Sequence, residues 1–198
     1  AMGFEIEPHE IFTPIEAIRS YLLARKAGAF FISTEKTKAQ FADIPETPVD
    51  FVVVTHAHEN FTFENLNEGF RHLLAGAKLL GSGASKYYRG KDGLFNLDPG
   101  PFIYALEYAS GKPALILGKP SPDFFLAAVR DMGLSPERVA MAGDDIETDI
   151  EGGMKAGLFG ILVKTGKFRP QDLEKGILPH AVLENFAGIE KLLEDFRS

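Results

Sequence analysis

The sequence predicts an α/β fold with largely parallel β-structure, on three observations. Short apolar runs rich in β-branched residues recur along the chain. Segments with helical spacing of apolar residues lie between them. Clusters of Gly, Pro, Asn and Asp mark most junctions. Strands alternating with helices in this way form sheets covered by helices.

In order along the chain, Ile15, Ile18, Leu22 and Leu23 fall on one helical face, with Thr13 as cap and Pro14 in the first turn. AFFI at 29–32 reads as a buried strand, 34–48 as mostly loop, and FVVV at 51–54 as a second strand. Residues 62–75 form an amphipathic helix closed by Gly76, and Lys78–Leu80 begins a third strand. Residues 86–100 read as loop, 101–109 as helix and ALIL at 114–117 as strand. Ser121-Pro122 starts a helix that stops at Gly133. VAMA at 139–142 and GILV at 160–163 are strands around a helix reaching about 156, and 186–197 is a terminal amphipathic helix.

Bulk properties narrow the partners. A net charge of −7 across 198 residues opposes a nucleic-acid backbone, so nucleic acid is not expected as a partner. No apolar run approaches a membrane span, so no membrane partner is expected. Without cysteine there is no disulfide framework or thiolate chemistry. No signal peptide is read, Ala1 reads as a cloning remnant before Met2, and a cytoplasmic location is the expectation.

Chemistry concentrates in GKPSP at 118–122, GDDIETDIEGG at 143–153 and LVKTG at 162–166. Each lies at the C-terminal end of a predicted strand, the edge at which open α/β sheets bind ligands. Asp144, Asp145 and Asp149 crowd three carboxylates together, which calls for a cation or a helix N-terminus to offset their repulsion. Hard oxygen ligands of this kind suit Mg²⁺. Lys119 is placed to neutralise a phosphate or an aspartate nucleophile. The plainer reading is that Asp145 and Asp149 only complement a helix dipole.

GKP, then GDD-x₃-D, then VKTG resembles motifs three and four of the haloacid dehalogenase (HAD) superfamily. EIFTPIEAIRSYL, FTFENLNEGFRHLL, KYYRGKDGL and ILVKTGKFRPQDLEKG extend the resemblance to the NagD-like branch, over essentially the whole chain. It implies an α/β cap domain at 5–100 and the C-terminal half of a HAD-like Rossmannoid core at 101–198. It also implies a Mg²⁺-dependent phosphatase acting on a small phosphorylated substrate through an aspartyl-phosphate. The substrate class would be a phosphomonoester, a phosphoramidate or a pyrophosphate. By motif, Lys119 is the catalytic lysine and Asp144 a metal ligand. Asp149 supports the metal or its waters, and Asp145 is the weaker metal assignment.

The departure is large. No DxDGT, the family's nucleophile motif, occurs in the 198 residues, and the chain starts where the family's cap starts. The chain as given is therefore expected to be truncated and inactive, since a lysine and carboxylates do not replace a covalent nucleophile. The alternative function is a non-catalytic relative that binds a ligand or partner. In the family the DxDGT strand pairs with the strand corresponding to VAMA. Its absence leaves an apolar edge, and a homodimer through 139–142 is expected.

Three further features belong to the cap. Tyr87, Tyr88 and Arg89 are candidate substrate contacts, although Gly83 and Ala84 stand where the family's near members carry His-Lys. GSGAS at 81–85 lacks a phosphate-loop spacing and reads as a turn. THAHEN at 55–60 begins like a metallo-β-lactamase zinc motif, but Glu59 and Asn60 replace its next ligands. The expectation for His56 and His58 is therefore two partly solvated histidines at a strand end.

Overall fold

The computed structural model describes residues 6, 7 and 10–195. His9 and the start of the first predicted domain lie outside them. The chain forms two compact units. One comprises the described residues of Ala1–Gly83 with Phe102–Gly118, and the other comprises Ala84–Pro101 with Lys119–Ser198. The boundary expected near residue 100 is thus replaced by an exchange of segments.

The first unit is built on a four-stranded parallel sheet of order β1-β2-β3-β6, with β1 Ala29–Ile32, β2 Phe51–Val54, β3 Lys78–Gly81 and β6 Ala114–Ile116. Strand alternation sends Ala29, Phe51, Val53 and Leu80 to one face. There they meet Ile18 and Leu22 of α1 (Pro14–Leu23) together with Phe41 and Ile44. Ile32, Val52, Val54 and Leu79 turn to the other face, onto Leu73 of α3 (Phe63–Leu74) and Ile103 and Leu106 of α4 (Pro99–Ser110). Since α4 and β6 complete this core, they cannot belong to the second unit as the sequence reading had them.

The cap predicted at Thr13 forms, its Oγ1 accepting from the Glu16 N–H at 3.3 Å, whereas Ser121 starts α5 without a side-chain cap bond. Thr62, not singled out by the sequence, caps α3 by accepting from the Asn65 N–H at 3.1 Å. Leu23, placed on the buried face by spacing, is 40% exposed because the stripe narrows at the last turn. The stretch expected as loop contains a short helix, α2 (Glu35–Lys38), capped by Thr34.

The second unit holds a parallel sheet of order β7-β8-β9, with β7 Ala140–Gly143, β8 Phe159–Val163 and β9 Ala181–Leu183. Phe125 and Val129 of α5 (Pro122–Asp131) pack with Met141 and Val139, while Ile146, Ile150 and Leu162 form a separate cluster. The helix expected after β7 is a π-helical turn, Ile146–Glu151, running into α6 (Gly152–Lys155). The terminal helix α7 spans Ile189–Asp195 within the described residues. Residues 86–100, read as loop, contain an antiparallel hairpin of β4 Tyr87–Arg89 and β5 Phe95–Leu97. Its turn uses Gly93 at φ +81°. No described helix is long and apolar enough to cross a membrane.

Candidate active site

The carboxylates gather where β7 ends. Asp145 caps the π-helical turn, its Oδ1 accepting from the N–H groups of Glu147 at 3.0 Å and Thr148 at 3.1 Å. Its Oδ2 takes the Thr148 hydroxyl and lies 2.5 Å from Lys167 Nζ. The Ile150 N–H reaches back five residues to the Asp145 carbonyl at 3.2 Å, the widened turn that often marks functional sites.

Asp149 lies beneath β7 and is 3% exposed. Its Oδ2 accepts from the Asp145 N–H at 3.3 Å. A Cβ on Gly143 would meet that oxygen at 2.3 Å, so only glycine fits the strand end above Asp149. Lys119 Nζ stands 2.5 Å from Asp149 Oδ1. This is charge pairing without hydrogen-bond alignment, and Oδ1 has no hydrogen-bond donor among the described residues. Asp144 is half-buried, and its Oδ2 accepts the Lys167 N–H at 2.6 Å. Gly166, at φ +56°, admits that carboxylate where a Cβ would stand 2.0 Å from the oxygen.

Lys167 joins this edge to the hairpin segment of the same unit. Its ammonium donates to Ser85 Oγ and the Tyr87 carbonyl, both at 2.9 Å, as well as facing Asp145. Arg89 donates to the Gly166 carbonyl at 3.2 Å, and the Arg169 guanidinium lies over the rings of Tyr87 and Phe95. Lys86 and Lys175 both reach Glu147, at 3.0 and 3.2 Å. Tyr87, Asp144, Asp145, Glu147, Lys167 and Lys175 line a pocket of 220 Å³ at this edge.

The two buried aspartates are driven in opposite directions. Burial pushes the Asp149 carboxyl above the usual carboxylate range, and nearby Asp145 adds to this against the opposing Lys119. Burial also acts upward on Asp145, but Lys167 and Thr148 outweigh it and hold that carboxyl low.

The structure therefore brings Lys119, Asp144, Asp145 and Asp149 together, though not by the expected route. Lys119 was read as following a strand of the same sheet, whereas β6 belongs to the sheet of the first unit. Tyr87 lines the pocket, while Tyr88 and Arg89 are not among its lining residues. The Arg89 guanidinium is committed to the carbonyls of Gly93 and Gly166. Lys167 escaped the sequence reading. The available signal was a lysine directly after the glycine that closes LVKTG, whereas Lys164 within that motif pairs outward with Glu184 at 2.7 Å.

No three His, Asp or Glu groups converge among the described residues. Mg²⁺ needs only one or two protein carboxylates, with water and phosphate oxygens completing its shell. Asp144 at the pocket wall fits that demand, while Asp149 is buried behind it with its Oδ1 against the Lys119 ammonium. Asp145 fits it poorly, because both its oxygens are already engaged.

The HAD-hydrolase-like family model matches residues 116–189. The chain is 41% identical over 186 residues to the haloacid dehalogenase-like hydrolase domain-containing protein 2 of Homo sapiens, covering 93% of this chain and 71% of the relative. It is 38% identical to the phospholysine phosphohistidine inorganic pyrophosphate phosphatase of Danio rerio, over 86% of this chain and 64% of that one. Among solved structures, the 4-nitrophenylphosphatase of Thermotoga maritima aligns with a TM-score of 0.79 and 30% identity, over 90% of this chain and 70% of the other. The p-nitrophenyl phosphatase of Archaeoglobus fulgidus aligns at 0.83 with 23% identity, over 96% and 77%, a likeness of fold.

Proposed function

The chain belongs to the haloacid dehalogenase-like hydrolases, in their NagD-like branch, and on that premise we propose that it carries the cation-binding half of a Mg²⁺-dependent phosphatase site. The observation that carries this reading is the Lys119–Asp149 pair held against the Asp145 N–H at the end of β7, with the neighbouring Asp144 on the pocket wall. Asp144 would hold the metal, and Asp149 would support it or its waters. When bound, Mg²⁺ neutralises charge on the phosphoryl oxygens. Lys119 places a positive charge beside Asp149, where it offsets that carboxylate and attracts an anionic group. Asp145 orients the turn rather than the metal, since it caps the π-helical segment and fixes Lys167.

The substrate is a small phosphorylated compound, by analogy with the relatives' phosphatase names. No DxDGT, the motif that supplies the family's attacking carboxylate, occurs among the 198 residues. Alone, the chain should leave 4-nitrophenyl phosphate intact. Fusing a DxDGT-bearing segment from a catalytically competent phosphatase of this family ahead of Met2 should create Mg²⁺-dependent turnover that is lost on Lys119→Ala or Asp144→Asn. A folded fusion without turnover would favour a non-catalytic binding role. Turnover by the unfused chain that is sensitive to Asp144→Asn would mean another nucleophile is present.

A further inference from the structure

One residue of the second unit ties the carboxylate edge to the hairpin, and the metal reading gives it no role of its own. The N–H of Lys167 donates to Asp144 Oδ2 at 2.6 Å. Its ammonium lies 2.5 Å from Asp145 Oδ2 and donates to Ser85 Oγ and the Tyr87 carbonyl, both at 2.9 Å. It also stands 5.0 Å from the centre of the Tyr87 ring. The side chain is only 14% exposed, which is uncommon for lysine. The backbone end of this residue thus holds the carboxylate assigned to the metal, and the far end holds the hairpin.

These contacts separate two things that Lys167 could do. A carboxylate that ligates a cation through one oxygen is oriented by a donor on the other. The Lys167 N–H is such a donor on Asp144 Oδ2, and it leaves Oδ1 for an ion. The ammonium has the opposite tendency, because a positive charge near Asp144 repels a cation. What the ammonium adds is restraint. Gly166, at φ +56°, turns the chain sharply just before residue 167, and Phe168 packs on the cluster of Ile146, Ile150 and Leu162 just after it. Between them, Ser85, Tyr87 and Asp145 fix the lysine from its tip. Charge and position therefore predict effects of opposite sign on cation affinity.

We infer that Lys167 is a positioning residue, an assignment that rests on the metal reading of Asp144. It orients the Asp144 carboxylate through its N–H, and the hairpin anchors Ser85 and Tyr87 hold that N–H in place through its ammonium. Hairpin and cation site form one coupled unit, in which ordering either favours the other.

Mn²⁺ is the probe, on the full 198-residue chain, because it takes the same oxygen ligands as Mg²⁺ and its free form is counted by electron paramagnetic resonance. Wild type should bind it in the millimolar range, and Asp144→Asn should remove that binding. Lys167→Met deletes a nearby positive charge, which alone would tighten binding. It should instead weaken binding by about threefold or more, since partners behind a metal ligand are typically worth about 10–100-fold. Ser85→Ala alters no charge and should weaken binding by a smaller factor. Lys175→Met removes a charge from the same pocket without touching Asp144, and should tighten it. In the metal-free chain, the amide of residue 167 should exchange faster in Lys167→Met and Ser85→Ala, while protection in β7 and β8 shows that both variants are folded. If Lys167→Met fails to fold, Ser85→Ala decides alone. Wild-type binding that is unchanged or tightened in the folded variants would overturn the positioning role and leave the metal reading standing. So would weakened binding with unaltered exchange at residue 167. A wild type that takes up no Mn²⁺, or binding that survives Asp144→Asn, would overturn the metal reading and the positioning role with it.

Discussion

Asp145 and Asp149 stand four residues apart, both buried, with opposite consequences for stability. The folded-state pKa of Asp149 is raised, chiefly by burial, so its ionised form disfavours the fold at pH values above the unfolded carboxylate range of about 3.9. The Asp145 pKa is lowered despite burial, so its ionised form favours the fold above that range, and the benefit disappears as pH falls through the folded value. At pH 7, Asp149→Asn should therefore raise the melting temperature of the metal-free chain. Asp145→Asn should cost about 1–3 kcal/mol, because charged cap bonds and the Lys167 pair weaken together. Denaturation curves of the two variants against wild type check the signs, and equal shifts in one direction would reject the contrast. The sequence exposed these residues because three aspartates at a strand end need explaining by charge alone. It could not separate their roles, since only the π-helical turn sends Asp145 to cap and Asp149 beneath Gly143. Lys167 stayed hidden for the same reason, as its partners Ser85 and Asp145 lie far from it in sequence.

At the scale of elements, strands were legible where apolar runs were dense, as with FVVV at β2, buried at every position. The β4-β5 hairpin was not legible, because its strands are three residues long and β5 is exposed throughout. No burial alternation exists there to be read, and long-range polar contacts hold the hairpin instead. Lys167 donates to Ser85 and the Tyr87 carbonyl, Arg89 to the Gly166 carbonyl, and the Arg169 guanidinium covers Tyr87 and Phe95. Lys167→Met removes the central ammonium of this set while keeping a long side chain. It should speed amide hydrogen exchange across residues 86–98 and open the turn at Lys91–Gly93 to proteolysis. Exchange in β1, β2 and β3 should not change, because their protection rests on the apolar clusters of the first unit. Unchanged protection in the hairpin would show that the arginine contacts suffice without Lys167.

For the whole molecule, the decisive feature is the outer edge of β7. The sheet of the second unit ends there, with β8 on one side and no further strand among the described residues. The other sheet deals with its edges. The Ala114 N–H at β6 is taken by Glu107 Oε1 at 2.7 Å, and the Ala29 N–H at β1 by the Pro45 carbonyl at 2.9 Å. Residues 139–143 carry neither charge nor proline, the usual guards of an open edge. Ala140 is exposed, and Met141, Ala142 and Gly143 are half-exposed. We propose that two copies of this 198-residue chain pair along β7 as antiparallel edges across a two-fold axis, the simplest closed arrangement for identical strands. A two-fold centred on Met141 would set Arg138 of each copy across from Asp144 of the other, joining opposite charges at both ends of the ladder. The net charge of −7 works against association, and raising the salt concentration should strengthen it by screening that repulsion. Sedimentation equilibrium at micromolar concentration should give twice the chain mass of 21.7 kDa. Ala140→Lys places a charge on the exposed edge without touching the buried face and should return the monomer. A wild-type monomer across that concentration range, or a dimer indifferent to Ala140→Lys, would remove β7 as the contact.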